Sequence, residues 1–376
     1  MNATFLIYTM VLVAIMIPGI SFAKNKEFVS IPHDRNTTKG IQGLFAVVIM
    51  LHHLSQRLVN ESGYKGELVG YEDVGTWLVG FFFFFSGFGL ITSFREKERY
   101  LDNFLIRRIW TVLVPFFICN YAYMFTALLL GQKFPMEKLV QAFFGVVLLN
   151  DHMWFAVEIM YLYIMFYLVF RFVKKDKWRY IIMFLVVVTL MIAGFFTGHD
   201  LEGSTQSNWL EGEWWYNTTF LFFLGMLIAR FYCPIVNWLK KYYYMVLLVA
   251  IVGFIGLATL TRYMLDHYGY WTETIVNNAY DDKALTLAVQ LPMVIFFEMM
   301  LFLLMMKVKV HNKVLVFLGE ISLEVILLQN LFILVFDTMK WNQNIHVYSS
   351  GIMGATIVIA IAINKVKRIV LEKKKG

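Results

Sequence analysis

Apolar blocks, all but one of them long enough to cross a hydrocarbon core about 30 Å thick as α-helices, which takes about 17–24 residues, recur through this 376-residue chain. They fall near Thr4–Ala23, Gly40–Gln56, Gly75–Phe94, Ile109–Leu130, Met153–Phe170, Tyr180–Thr197, Thr218–Phe231, Tyr243–Leu260, Ala284–Met306, Val314–Phe336 and Val347–Ile363. Lipid offers the backbone no hydrogen-bond partner, and a helix satisfies its amides within one segment. The expected fold is all-α, a polytopic transmembrane helix bundle of about eleven spans. A further run, Leu139–Asn150, is short for a crossing and reads as re-entrant or interfacial. An ordinary soluble domain is excluded, because 59% of the residues are hydrophobic against roughly 45–50% in such domains.

Short cytoplasmic loops hold an excess of Lys and Arg, which tests the span assignment. Basic loops occur at Lys24–Lys39, Arg95–Arg108, Arg171–Arg179, Arg230–Lys241, Lys307–Lys313 and the tail Lys365–Lys375. Between them lie Arg57–Val74, Gly198–Asn217 and Arg262–Lys283, which carry Glu61, Glu67, Glu72, Asp73, Asp200, Glu202, Glu211, Glu213, Asp266, Glu273, Asp281 and Asp282. The alternation is unbroken if Leu139–Asn150 does not cross. It places the N-terminus outside and the C-terminus in the cytoplasm of a multi-pass cell-membrane protein. Residues 1–24 are then an extra first span ahead of a ten-span core, 38–365, with 366–376 as a basic cytoplasmic tail. A cleaved signal peptide is the rival reading of the first block, but no basic residue precedes it and a basic stretch follows, the wrong polarity for secretion.

The net charge of +7 is scattered through these loops rather than gathered on one face, so topology explains it and a nucleic-acid partner is not expected. Cys119 and Cys233 lie within or beside apolar segments and read as packing residues, with no disulfide framework or thiolate metal site implied.

Ionisable groups inside spans are costly unless they face the bundle interior, so each is a functional candidate. Lys39, Gln42 and His53 fall within about 40° of one stripe at 100° per residue. Histidine suits proton transfer near neutral pH. Glu158 lies at nearly the same depth below the outer end of its own span, so its carboxylate is expected to orient the His53 ring. Gln329 and Asn330 fall in the outer half of a late span, where their amides can hold an acceptor hydroxyl. On the cytoplasmic side Arg107 and Arg108 open a span, and arginine binds phosphate through paired hydrogen bonds. Phe81 to Phe85, followed by Ser86-Gly87-Phe88-Gly89, sets bulky rings beside small residues that give close helix approach or room for a narrow ligand. Glu298 and Glu324 lie in the inner halves of their spans with no role assigned. Each group has a plainer reading too, as interhelical hydrogen bonding or positive-inside anchoring.

Four stretches stand in order along the chain: Lys39-Gly40-Ile41 leading to His52-His53; Phe83-Phe84-Phe85-Ser86-Gly87-Phe88 followed by Arg107-Arg108 and Pro115; Trp154-Phe155-Ala156-Val157-Glu158 with Tyr161; and Phe223-Leu224-Gly225-Met226 followed by Leu318-Gly319-Glu320-Ile321-Ser322. Together they resemble the acyltransferase-3 family of integral membrane acyltransferases. The resemblance implies about ten core spans, acetyl-CoA or another acyl-CoA as cytoplasmic donor, no metal, and O-acylation of a sugar or other envelope molecule. Carried onto this chain, it makes His53 the catalytic histidine, with Glu158 beside it. Arg107, Arg108, Lys39, Gln42 and Ser86 then face the donor, and His52, Trp154, Tyr161, Gln329 and Asn330 the acceptor. The chain departs from the family pattern at Gln42, where members often have arginine, at Thr111 or Val112, where another arginine is common, and at Gln329, where many have histidine.

The expected chemistry is removal of a proton from the acceptor hydroxyl by His53, or transient acylation of its ring. Two rivals stand beside it: a transporter moving a glycan or small solute along the same polar track, and an enzyme that acylates a lipid or a protein.

Overall fold

Each apolar block carries a helix in the computed structural model, which describes residues 3–24, 27–59, 66–196, 214–269, 279–341 and 344–373. The elements run α1 (Ala3–Met16), β1 (Ile20–Phe22), α2 (Arg35–Val59), α3 (Gly75–Glu96), α4 (Phe104–Leu129), α5 (Met136–Phe143), α6 (Trp154–Phe172), α7 (Asp176–Phe196), α8 (Trp214–Asn217), α9 (Phe220–Arg230), α10 (Tyr232–Lys241), α11 (Tyr243–Tyr268), α12 (Tyr280–Met305), β2 (Val308–Val310), α13 (Lys313–Glu320), α14 (Ser322–Thr338) and α15 (Ile345–Lys373). Among the loop residues singled out above, Glu61, Asp200, Glu202, Glu211, Glu213 and Glu273 lie outside the described residues.

Among the described residues, length and composition do not confirm a count of eleven spans. By length and composition, seven helices can cross a membrane: α3, α4, α6, α7, α11, α12 and α15. Two bent pairs bring the figure to nine if each is one span: the helix ending at Arg230 with α10, bent by 86°, and α13 with α14, bent by 73°. The remaining two expected spans are α1 and α2. At 14 residues α1 is only about 21 Å long. It stops ahead of Pro18 and Gly19, and the chain continues as β1 in an antiparallel ribbon with β2, Ile20 opposite Val310. Residues 3–24 are thus tied to the core. Asn312 Nδ2 donates to the Ile15 and Pro18 carbonyls, and Thr9 shares a 2.7 Å hydrogen bond with Tyr71. At the other end α15 continues through the basic segment to Lys373. The Leu139–Asn150 run holds only the end of the eight-residue α5, which Asn120 Nδ2 fastens to α4 through the Ala142 carbonyl.

The basic loops converge on one end of the bundle. Arg171 pairs with Asp102, Arg230 with Asp176, and both Arg35 and Arg368 with Glu320. Ala23 N donates to Lys307 O, which brings the Lys307–Lys313 loop to the same end. The opposite end is drawn together by Arg57 with Asp337 and Arg262 with Asp73. Cys119 is packed in the core as expected, whereas Cys233 is exposed on α10.

Two glycine crossings set the spacing of the central helices. A Cβ on Gly87 of α3 would stand 1.9 Å from the Phe222 carbonyl oxygen of α9, and one on Gly225 of α9 would stand 2.0 Å from that of Phe84 on α3. Gly43 of α2 meets the Leu315 oxygen at 2.0 Å, and Gly319 of α13 meets that of Lys39 at 1.9 Å. Such contacts exclude any side chain, so small residues are what lets backbones approach in a medium without a hydrophobic driving force between helices. The stretch from Phe83 to Phe88 is therefore a partner in space of that from Phe223 to Met226, and Lys39-Gly40-Ile41 of that from Leu318 to Ser322. Gly87→Ala and Gly225→Ala should each lower the thermal unfolding free energy of the detergent-purified protein by about 1–3 kcal/mol, the cost of overpacking. Gly89, two residues along α3 with nothing within 4 Å of its Cβ position, should accept alanine neutrally or gain up to about 1 kcal/mol. Equal effects at all three would show that the crossings are not close-packed.

Candidate active site

The α2 helix runs unbroken from Arg35 to Val59, so His53 stands about 21 Å along its axis from Lys39, toward the end opposite the basic loops. The His53 ring is stacked on that of His152, centroids 3.8 Å apart and planes 25° apart. His52 lies 4.9 Å away, and Gln56, one turn further on, hydrogen bonds the His53 ring. Three imidazoles gather here, yet among the described residues no group of three His, Cys, Asp or Glu side chains is placed to hold a metal ion. Stacked rings carry their nitrogen lone pairs in parallel planes, which do not converge on one point.

His152 reaches His53 because Asn150 fixes the turn that carries it. Asn150 Oδ1 accepts from the His152 backbone N at 3.1 Å, capping the short 3-10 turn Asp151–Met153 that leads into α6. The same oxygen accepts from Asn330 Nδ2 at 3.1 Å, and Asn150 Nδ2 donates to the Leu327 carbonyl at 3.0 Å. One fully buried amide thus ties the head of α6 to α14. Asparagine just ahead of an apolar helical run is a readable cap signal; that its amide would also bond α14 is not encoded locally. The outcome separates Asn330 from Gln329. Asn330 is a structural partner, while both side-chain amide atoms of Gln329 are buried without a hydrogen bond.

Glu158 does not orient His53. Its Oε1 accepts from the Thr219 hydroxyl at the head of α9, and its Oε2 is buried with no partner. Depth along a span is readable from sequence, but the direction in which a side chain leaves the helix depends on which neighbour packs there. His52 is likewise committed elsewhere: its Nδ1 lies 3.0 Å from the Tyr71 carbonyl, and its ring packs on Gly75. Trp154 is half-buried and stacks on Phe83 with centroids 6.2 Å apart. Tyr161 is on the outside of α6, 39% exposed, away from the acceptor position expected for it.

At the basic end the structure joins Ser86 to Arg108 through Tyr163. The Ser86 and Tyr163 hydroxyls are 2.8 Å apart, the Arg108 guanidinium lies 5.8 Å from the centre of the Tyr163 ring, and Arg108 donates to the Tyr100 hydroxyl at 3.0 Å. Arg107 instead holds the preceding loop, donating to the Tyr100 and Asp102 carbonyls. Lys39 donates to the Gly319 carbonyl across the α2–α13 crossing, and Gln42, one turn on, has a buried Oε1 without a partner. Sequence reasoning missed His152, Gln56, Asn150, Tyr163 and Thr219.

The acyltransferase-3 family model, described as an acyltransferase domain, matches residues 39–365, so the chain belongs to that family. With at least seven helices able to cross a membrane, it is a multi-pass membrane acyltransferase. No curated protein and no solved structure matches it significantly.

Asn150→Ala removes a helix cap and two bonds to α14. It should destabilise the protein by about 1–2 kcal/mol and raise hydrogen–deuterium exchange at residues 151–153. Exchange equal to that of the parent protein would show that other contacts hold the turn.

Proposed function

We propose that this protein is an O-acyltransferase that takes an acetyl or other short acyl group from acyl-CoA at its basic, cytoplasmic end. It passes that group to a hydroxyl of a cell-surface glycan or related envelope molecule at the opposite face. The observation that carries this reading is the imidazole stack of His53 and His152, held by Asn150 at the end of the bundle away from Arg107 and Arg108.

Arg108, with Tyr100 and Tyr163 around it, receives the phosphates of the donor, and exposed Arg107 flanks them. Guanidinium groups bind phosphate well because their fork of N–H donors matches its oxygens. The thin arm of the donor then runs past Ser86 and Gln42 along the stripe that leads from Lys39 to His53. Buried polar atoms normally have partners, and those of Gln42 and Gln329 that have none are suited to a substrate.

His53 acts as general base. Its free ring nitrogen takes the proton of the acceptor hydroxyl as the oxygen attacks the thioester carbonyl. Collapse of the tetrahedral intermediate expels the CoA thiolate, which takes the proton back from the imidazolium. In the alternative route the ring nitrogen attacks first and the acyl group passes through an acyl-histidine. In either case His152 and Gln56 hold the ring, the role expected of Glu158. Glu158 remains in the proposal through its unpartnered Oε2, with Trp154 beside the acceptor.

Labelled acetyl-CoA and de-O-acetylated envelope glycan, supplied to the purified protein, should give acetylated glycan. His53→Ala should unfold at the parent temperature while turnover falls at least about 10²-fold, as expected for loss of a general base. Retained turnover in a folded His53→Ala protein would remove the proposed centre.

A further inference from the structure

Three carboxylates are buried deep in the described bundle, and two have partners. Glu324 is bonded by Lys367 and by Asn364 Nδ2, and Glu158 by Thr219. Glu298 of α12 is the exception: it is 2% exposed, and both of its oxygens are buried without a hydrogen-bond partner. A carboxyl group left so in an apolar setting costs free energy in either protonation state, and each such group calls for an explanation.

The explanation lies in the space it lines. A cavity of about 670 Å³ is bounded by Phe84 of α3, Leu224 and Ile228 of α9, Trp238 of α10, and Met299 and Phe302 of α12, and among its lining residues Glu298 alone is ionisable. The volume falls in the range of about 300–1,000 Å³ typical of small-molecule sites. Its shape comes from the 86° break after Arg230. There α10 turns away from α9 and leaves a notch under its apolar side. Trp238, 52% exposed, and Ile295, 39% exposed, are among the residues that line it, so in a membrane-spanning bundle the notch opens sideways to the bilayer. None of these residues belongs to the His53 site.

We propose that this notch binds a neutral long-chain alcohol drawn from the membrane, its chain in the apolar space and its hydroxyl on the Glu298 carboxyl. The chain is dictated by the lining. The hydroxyl is dictated by depth: Glu298 lies seven residues from the end of α12 at Met305, about 10 Å inside the helix end. A charged or zwitterionic headgroup at that depth carries the penalty of any ion in hydrocarbon. A hydroxyl can donate to a carboxyl oxygen in either protonation state and can accept from the protonated form.

The test uses the full chain in lipid nanodiscs and a diazirine-tagged hexadecanol, with cross-linked peptides mapped by mass spectrometry after irradiation. Labelling should concentrate on residues 224–239 and 295–302. The tagged methyl ether of the same chain, which lacks the donor, should label them at least about tenfold less, the worth of one hydrogen bond left unmade. Glu298→Leu should bring alcohol labelling down to the ether level, and Glu298→Gln, which keeps an acceptor oxygen, should hold most of it. Ile228→Trp, which fills the notch without touching the carboxyl, should abolish labelling by both probes and serves if Glu298→Leu does not fold. His53→Ala should label as the parent does, so this site stands or falls apart from the acyl-transfer centre. Equal labelling by alcohol and ether, or no enrichment at these residues, would overturn the proposal. A tagged hexadecylamine that outcompetes the alcohol would overturn the assignment of a hydroxyl in favour of an ammonium group.

Discussion

Hydrocarbon cannot donate or accept a hydrogen bond, so every polar atom carried into the bundle must find its partner within the protein or in something the protein binds. Most of the buried polar groups here obey the first option. Asn150 makes three hydrogen bonds, Lys39 reaches across a helix crossing, and Glu324 sits between Asn364 and Lys367. Those contacts define the architecture, because all but the Asn150 cap on His152 join elements far apart in the chain. The groups that do not obey it, among them Gln42, Gln329, one oxygen of Glu158 and both of Glu298, mark where the interior is not complete by itself.

The same constraint explains how a long helix positions the proposed site. Backbone contact at the Gly43–Gly319 crossing holds α2 close to α13, and a rigid α2 then carries the stripe from Lys39 to His53. At the far end, a single asparagine turns the loop before α6 inward and sets one imidazole on another. Positioning of this kind is inexpensive: a cap and an amide bridge fix a ring that would otherwise lose rotamer freedom on binding.

Much of the fold was legible because membrane spans announce themselves by length and hydropathy, and because the loops alternate in charge. What was not legible follows from the same physics. The first apolar block is long enough on paper, but Pro18 and Gly19 cut its helix at Met16 and divert the chain into a ribbon whose partner lies almost 300 residues away. The proposed site was legible only in part. The stripe of α2 pointed to His53, and chain order to Arg108 and Ser86, while the expected pairing of His53 with Glu158 rested on depth alone. Rotation about each axis decides contacts, and it sends Glu158 to Thr219 and leaves His53 to His152. Tyr161 and Tyr163 make the point on one helix: two residues apart, one faces outward and the other meets Ser86 and Arg108.

Sidedness separates this mechanism from its rivals most directly. Proteoliposomes can be prepared with acetyl-CoA confined to the side bearing the basic loops and de-O-acetylated glycan confined to the other, each solution assayed separately by mass spectrometry. Donor and acceptor entering from opposite ends of the bundle predict acetylated glycan on the His53 side, in step with free CoA on the basic side. Acetylation only when donor and acceptor share one compartment, or movement of unmodified glycan across the membrane without CoA release, would contradict it.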